Sequence, residues 1–228
     1  MSDIKLSKRL STAASLVRSG AFVADIGTDH ALLPIHLVQS GKVKRALASD
    51  INSGPIKIAQ ENIAKHGLED MIETRIANGL FGIEDYAPTD IVICGMGGEL
   101  IARILDESSY VKNGSVRLIL QPMTCAYELR EYLAKSFSTV AENIVCEDGK
   151  IYQLICAEYD GKEHSYTKAE LELGKLNIEC RSAEFERLLD SSIAKKRRRL
   201  EGLMVGGCDT EVVLEELKEL EKIKNDRL

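Results

Sequence analysis

The stretch Val23-Ala24-Asp25-Ile26-Gly27-Thr28-Asp29-His30-Ala31 carries the strongest local chemistry in this chain. An apolar run closes on an acid, a glycine follows, and a helical pattern begins. Gly27 permits a sharp turn and lets a ligand reach the backbone without meeting a side chain. Asp25 suits a ligand bearing positive charge, whereas Asp25 and Asp29 together would repel a pyrophosphate. A dinucleotide fingerprint needs three glycines here, and the sequence has Thr28, Asp29 and Ala31 in that stretch. The motif therefore disfavours a nicotinamide dinucleotide and favours the phosphate-free, sulfonium-bearing S-adenosylmethionine. An ordinary tight strand–helix turn is the other reading of this motif taken alone.

A second acid closes the next apolar run, Leu47-Ala48-Ser49-Asp50-Ile51. In nucleoside-binding doubly wound folds, an acid about 20 residues past the glycine turn accepts hydrogen bonds from ribose hydroxyls. Asp50 stands at that separation from Gly27, and capping of the next helix is its alternative role. Asn78-Gly79-Leu80 ends a third run, where an amide can meet an adenine or where Asn-Gly simply turns the chain. The fourth run ends in Cys94-Gly95-Met96-Gly97-Gly98, and three glycines within four residues mark backbone that must approach a ligand or a packing neighbour closely. Cys94 beside them reads as a buried structural thiol. A fifth run ends at Leu120-Gln121-Pro122-Met123, where it can border a substrate pocket.

All of these candidates stand at the carboxyl ends of predicted strands. The patterning predicts strands over 21–25, 45–50, 71–76, 90–94, 116–120, 139–146 and 151–158, and helices over 8–19, 31–40, 55–66, 100–107 and 127–135. Ile91-Val92-Ile93 and Leu118-Ile119-Leu120 are continuously apolar, as strands buried on both faces must be. Strand–helix alternation with short connections gives a parallel sheet with right-handed crossovers, and ligands bind such sheets at the carboxyl edge. Glu147-Asp148-Gly149-Lys150 separates the last two strands and predicts an antiparallel hairpin on an Asp-Gly turn. The expected fold class is α/β: a doubly wound, mostly parallel seven-stranded sheet of Rossmann-like form over residues 1–161. Many S-adenosylmethionine-dependent methyltransferases have this architecture.

Residues 162–228 have a different character, with no strand signal and no proline. Phe185, Leu189, Ile193, Leu200 and Met204 recur at helical spacing, and Val213, Leu217, Leu220 and Ile223 do so again beyond Gly206-Gly207. Asp209 or Thr210 can cap the second helix. The pattern predicts a coiled-coil hairpin whose first arm, 182–205, is about 36 Å long. Lys195, Lys196, Arg197, Arg198 and Arg199 form the only dense basic cluster. Because five consecutive residues go right round a helix, they cannot all face the seam. A phosphate-binding patch and a solvated face balanced by Asp190 and Glu201 are both open readings.

Bulk properties narrow the function classes. A chain of 228 residues accommodates one α/β domain plus an appendage, and 44% hydrophobic with 29% charged residues excludes disorder. No apolar stretch approaches the roughly 20 residues that span a bilayer, and residues 1–10 are too charged for a secretory signal. The expectation is a cytoplasmic protein with no membrane partner. The net charge of −6 offers no global attraction to nucleic acid, so polyanion binding needs a local patch. Six cysteines without a C-x-x-C pair and four scattered histidines give no metal site, and none is expected.

Taken together, Asp25-Ile26-Gly27-Thr28-Asp29-His30-Ala31-Leu32-Leu33-Pro34, Ser49-Asp50-Ile51-Asn52, Asn78-Gly79-Leu80 and Cys94-Gly95-Met96-Gly97-Gly98, with Leu6-Ser7-Lys8-Arg9-Leu10 ahead and the coiled-coil tail behind, resemble the bacterial tRNA (adenine-22-N1)-methyltransferases over nearly the whole length. The tail matches in architecture more than in particular residues. The resemblance implies a class I methyltransferase that moves the methyl of S-adenosylmethionine to N1 of an adenine in the tRNA D-arm. Carried over by position, Gly27, Thr28 and His30 line the methionine part beside Asp25, Asp50 and Ile51 hold the ribose side, and Asn78 and Gly79 border the adenine. Gly95 and Met96 floor the transfer site, and Arg9 pairs with the cofactor carboxylate. Asp29 is the candidate carboxylate facing the ring that becomes cationic. The tail is the expected tRNA-binding domain, and a monomer is expected. A small-molecule methyltransferase and a non-catalytic RNA-binding module are the competing readings.

Overall fold

The computed structural model describes residues 4–226, which divide into two compact units, Met1–His164 and Ser165–Leu228. In the first unit seven strands form one sheet: β1 (Phe22–Ile26), β2 (Arg45–Asp50), β3 (Ile72–Ile76), β4 (Asp90–Met96), β5 (Arg117–Pro122), β6 (Phe137–Glu147) and β7 (Lys150–Tyr159). Their order is β3-β2-β1-β4-β5-β7-β6, with the first five parallel and β7 antiparallel to both neighbours. The chain thus works outward from β1 on one side and returns to β4 on the other. That reversal opens a crevice at the carboxyl ends of β1 and β4, where open α/β sheets take their ligands.

Side-chain alternation on the central strands explains the layering. Val23, Val92 and Ile119 point into one core with Ala13, Ala14 and Val17 of α1 (Lys8–Leu16) and its end, Ile35 and Leu37 of α2 (Leu32–Gln39), and Ala59 and Ile63 of α3 (Ser53–Lys65). Ile91, Ile93, Leu118 and Leu120 point into the other with Ile101 and Leu105 of α4 (Gly98–Asp106) and Leu129 and Leu133 of α5 (Ala126–Leu133). Both faces of the sheet are covered, which is why these strands read as unbroken apolar runs. Asp148 and Gly149 both take positive φ, at 48° and 74°, as a two-residue hairpin turn between Glu147 and Lys150 requires. In the outermost strand, β6, the register with β7 shifts between Thr139 and Ala141, a bulge that leaves Val140 unpaired.

The expected first helix runs to residue 19, and α1 stops at Leu16 because Val17 is extended and the Lys42 Nζ donates to the carbonyls of Ala14 and Ser15 at 2.7 and 2.8 Å. The second begins one residue late because Ala31 is left-handed, at φ 56°.

The second unit contains two short helices that apolar periodicity does not reveal, α6 (Lys168–Leu173) and α7 (Lys175–Cys180), ahead of the hairpin α8 (Ala183–Val205) and α9 (Glu211–Asn225). Phe185, Leu188, Leu189, Ser192 and Ile193 are buried on α8, and Val213, Leu217 and Leu220 on α9. Met204 does not join this seam: it is 67% exposed. At about 100° per residue, the seam direction set by Phe185 and Ser192 passes through half-buried Leu203 and leaves Met204 off to the side. Thr210 holds the N-cap position of α9 without a side-chain cap bond, and Asp209, one residue before it, accepts from the Glu211 N–H at 2.9 Å. Among the described residues, no helix is long and apolar enough to cross a membrane.

The corner from β4 into α4 is tightly constrained. A Cβ on Gly98 would lie 2.0 Å from the Cys125 carbonyl oxygen, whereas one on Gly97 would lie 3.3 Å from the Thr124 hydroxyl. Gly98→Ala is therefore expected to destabilise the protein by about 2 kcal/mol or more, and Gly97→Ala by under about 1 kcal/mol. Chemical denaturation of both variants checks the contrast.

Candidate active site

The carboxyl edge of β1 brings a buried charge under an open turn. Asp25 is 6% exposed and its Oδ2 accepts from the Thr28 hydroxyl at 2.6 Å, with Thr28 itself 2% exposed. Burial pushes the Asp25 carboxyl up to about 6; the Thr28 hydrogen bond opposes the rise and the Asp29 charge adds to it. The turn is pinned to β2, because the N–H groups of Gly27 and Thr28 both donate to the Ser49 carbonyl, at 2.8 and 2.9 Å. Gly27 holds φ 72°, and a Cβ there would fall 2.1 Å from the Met96 methyl. Glycine at this position thus opens the space into which Met96 reaches from β4.

The next residues stay off the helix for two steps. His30 and Ala31 both have positive φ, at 60° and 56°, which is uncommon for non-glycine residues and typical of backbone held for a purpose. The Asn62 amide of α3 donates to the His30 carbonyl at 3.0 Å and fixes this kink. The consequence is that Asp29 and His30 present their side chains outward, 77% and 46% exposed, 3.5 Å from one another.

At the ends of β2 and β3, Asp50 accepts from the Asn52 N–H at 2.7 Å through Oδ1, turning the chain ahead of α3 rather than capping it. Its carbonyl accepts from the Ala77 N–H at 2.9 Å, which ties the Asn78-Gly79 turn beside it. Asn78 is exposed, and around it Ile51, Ile76 and Phe81 stand 59%, 59% and 83% exposed. The Phe81 turn is braced by Arg75, whose guanidinium donates to the carbonyls of Phe81 and Gly82 and lies over the Tyr86 ring. An exposed apolar rim beside a carboxylate and an amide has the composition a nucleoside site needs.

The glycine cluster at the end of β4 divides by role. Gly97 is the half-buried N-cap of α4, and Gly98 is buried against the Thr124 and Cys125 backbone, so Gly98 answers to packing. Gly95 differs: it holds φ 84°, and a Cβ there would come 3.5 Å from the Arg9 Nη1. Arg9 reaches this point from the first turn of α1. Its Nη1 donates to the Gln121 Oε1 at 2.7 Å, and its guanidinium lies 5.6 Å from the Tyr152 ring centroid. Burial, and then the charge of Asp25, push the Cys94 thiol upward while Arg9 draws it down, so the thiol stays protonated beside them. Among the described residues, no group of three or more His, Cys, Asp or Glu is arranged to hold a metal ion.

The basic run in the second unit is likewise divided. Lys196 lies in the α8–α9 seam, 2.7 Å from Glu216 and 3.7 Å from Glu172, and Arg197 pairs with Glu221 at 2.7 Å. Lys195, Arg198 and Arg199 are exposed and form no ion pair among the described residues. Exposed Arg187, which the run does not include, stands three turns before Arg198 on nearly the same line of α8. Sequence reasoning also missed Tyr152 and the bridging role of Gln121, which no local spacing could reveal.

Comparison with known proteins supplies a family. The methyltransferase domain family matches residues 6–155. A tRNA (adenine(22)-N(1))-methyltransferase of Bacillus subtilis is 41% identical over 177 residues, covering 77% of this chain and 74% of the relative. This chain belongs to the tRNA (adenine(22)-N(1))-methyltransferase family. The crystal structure of the B. subtilis m1A22 tRNA methyltransferase superposes with a TM-score of 0.82 at 35% identity, over 97% of this chain and 98% of that one. A Streptococcus pneumoniae protein solved in complex with S-adenosyl-L-methionine superposes with a TM-score of 0.85 at 34% identity, over 96% and 99% of the two chains. Both matches take in the helical tail of this tRNA (adenine(22)-N(1))-methyltransferase family member as well as its sheet.

The raised Asp25 carboxyl has a stability signature. Between its ordinary value near 3.8 and about 6, the folded protein holds a proton that the unfolded chain releases. The stability this contributes is full below the ordinary value and is lost as pH rises through about 6. Asp25→Asn is expected to stabilise the protein at pH 8 by on the order of 2 kcal/mol and to have no such effect at pH 4. Thermal melts across that range check it.

Proposed function

We propose that this protein transfers the methyl group of S-adenosylmethionine to N1 of adenine 22 in the D-arm of tRNA. The observation that carries the reading is the pairing of opposite charges at one sheet edge: buried Asp25 under Gly27, and Arg9 beside Gly95 with no carboxylate partner among the described residues. A zwitterionic amino-acid tail next to a sulfonium asks for such a pair. The remaining residues fit the same ligand. Asp50 has an oxygen to accept from ribose hydroxyls, and Ile51, Asn78 and Gly79 offer an apolar rim, an amide and open backbone to an adenine. When bound, S-adenosylmethionine supplies an electrophilic methyl group on sulfur.

The chain's own demands are then modest. Adenine N1 carries a lone pair and needs no strong base, so alignment of the two reactants provides much of the acceleration. Methylation makes the ring cationic, and the exposed carboxylate of Asp29, held outward by the His30–Ala31 kink, is the group we assign to face that charge. Gly95 and Met96 form the floor on which the base sits, with Thr28 and His30 along the methionine side. The second unit supplies the RNA-binding surface. Arg187, Lys195, Arg198 and Arg199 are the phosphate-binding residues in this reading, while Lys196 and Arg197 hold the hairpin together. A tRNA substrate puts the protein in the cytoplasm.

Purified protein incubated with unmodified tRNA transcripts and radiolabelled S-adenosylmethionine is expected to yield N1-methyladenosine at one position. Transfer to another atom would overturn the reading, and cofactor binding without transfer would favour a small-molecule methyltransferase. Replacing Lys195, Arg198 and Arg199 by alanine is expected to weaken tRNA binding and to flatten its logarithmic salt slope by about 0.7–0.9 for each phosphate left without its cation. A slope equal to that of the parent protein across a salt titration would remove these residues from the interface.

A further inference from the structure

Arg9 occupies a position that its own helix disfavours. It lies in the first turn of α1, next to Lys8, in a helix with no acidic residue in that turn. The positive end of the helix dipole repels a cation there. Nor is the charge relieved by an ion pair, since Arg9 forms none among the described residues. Its partners are instead an amide oxygen and an aromatic face, which hold the guanidinium in place without neutralising it.

The amide is fixed unusually well. Gln121 is fully buried at the end of β5. Its Nε2 donates to the Pro122 carbonyl at 2.9 Å and approaches the Met123 sulfur at 3.6 Å, which decides which way the amide faces. The Oε1 is therefore turned to the site, where it accepts from Arg9 Nη1 at 2.7 Å and from the Gly95 N–H at 3.2 Å. One oxygen thus ties the cation of α1 to the backbone at the carboxyl end of β4. Tyr152 of β7 presents its ring to the same guanidinium. The approach of α1 is set by the Ser7 cap, which accepts from Leu10 N–H at 3.3 Å, and by Glu147, which accepts from Lys8 N–H at 2.6 Å.

We propose that Gln121 and Tyr152 are positioning residues that hold Arg9 as an uncompensated cation for the carboxylate of the S-adenosylmethionine tail, with Gln121 coupling that seat to the Gly95 backbone of the transfer site. The inference rests on the methyltransferase reading and deepens it. A neutral cradle is the arrangement that achieves this: a glutamate at position 121 would pair with Arg9 and cancel the charge that the ligand needs, while an apolar residue would leave both Arg9 and the Gly95 N–H without their acceptor.

The test compares dissociation constants for S-adenosylmethionine and for decarboxylated S-adenosylmethionine, measured calorimetrically on the full chain. Arg9→Gln is expected to weaken S-adenosylmethionine binding about tenfold and to leave the decarboxylated ligand within about twofold. Gln121→Leu and Gln121→Glu are expected to show the same selective loss, Tyr152→Leu a smaller one, and Tyr152→Phe none. The Arg9→Gln/Gln121→Leu double variant should bind no worse than Arg9→Gln alone, because the second residue acts through the first. Gln121→Glu keeps an acceptor for both donors, so it guards against a Gln121→Leu protein that fails to fold. Equal weakening of the two ligands by the Gln121 variants would mark a merely structural role and overturn the proposal. So would an unchanged ligand ratio in Arg9→Gln with a raised tRNA KM, which would give Arg9 to an RNA phosphate. Failure of the parent protein to bind either ligand would instead overturn the methyltransferase reading itself.

Discussion

Strands covered by apolar side chains on both faces leave polar groups a place only at their ends. In the first unit the ladders run without a break through the apolar stretches of β1, β2, β4 and β5, and the β4–β5 register shifts only at Gly95, between Cys94 and Met96. Backbone freed from pairing therefore occurs at the carboxyl ends of these strands, where they stop and turn. Because the strands run parallel, all of those stops lie along one edge, and the reversal of strand order at β1 and β4 opens that edge into a crevice. Everything chemical in this unit follows from that restriction: the Gly27 turn, the Asp50 turn, the Asn78-Gly79 turn and the Gly95 approach are all consequences of where a doubly covered sheet must end.

At that edge the protein tolerates arrangements that stability alone would not select. Asp25 is desolvated enough for its carboxyl to rise to about 6. Arg9 is set against its helix dipole without a counter-charge. His30 and Ala31 sit in a backbone region that favours glycine. Each of these raises the energy of the folded state, and they cluster in a protein whose core is otherwise conventionally packed. Local disagreement with folding rules, concentrated in one place, is the physical mark of a site. The relatives that share this fold supply the chemistry to which such a site is suited.

Much of this arrangement was legible in the sequence, because the features concerned are local. An acid, a glycine and a turn at the end of an apolar run are visible within a few residues, as is the Asp-Gly turn between the last two strands. What was hidden depends on residues distant in the chain. Arg9 and Gln121 are 112 residues apart, and only the fold brings them to one hydrogen bond. The glycine cluster needed the Cys125 backbone before packing could be separated from ligand approach. The basic run needed the partner helix, since Glu216 draws Lys196 into the seam and leaves its neighbours outside. The short α6 helix is the exception: Thr167 and Glu170 form a capping box that the sequence displays, although six residues are too few for apolar periodicity to register.

The bulge in β6 has a consequence for how the molecule behaves among its own copies. An outermost strand is an open row of donors and acceptors on which another chain's strand can build. Here the even spacing of that row is interrupted between Thr139 and Ala141. An incoming strand that matched the row on one side of the break would fall out of register on the other, so only a short stretch could pair. The irregularity that costs this sheet one ladder pair therefore also guards its exposed border against edge-to-edge association.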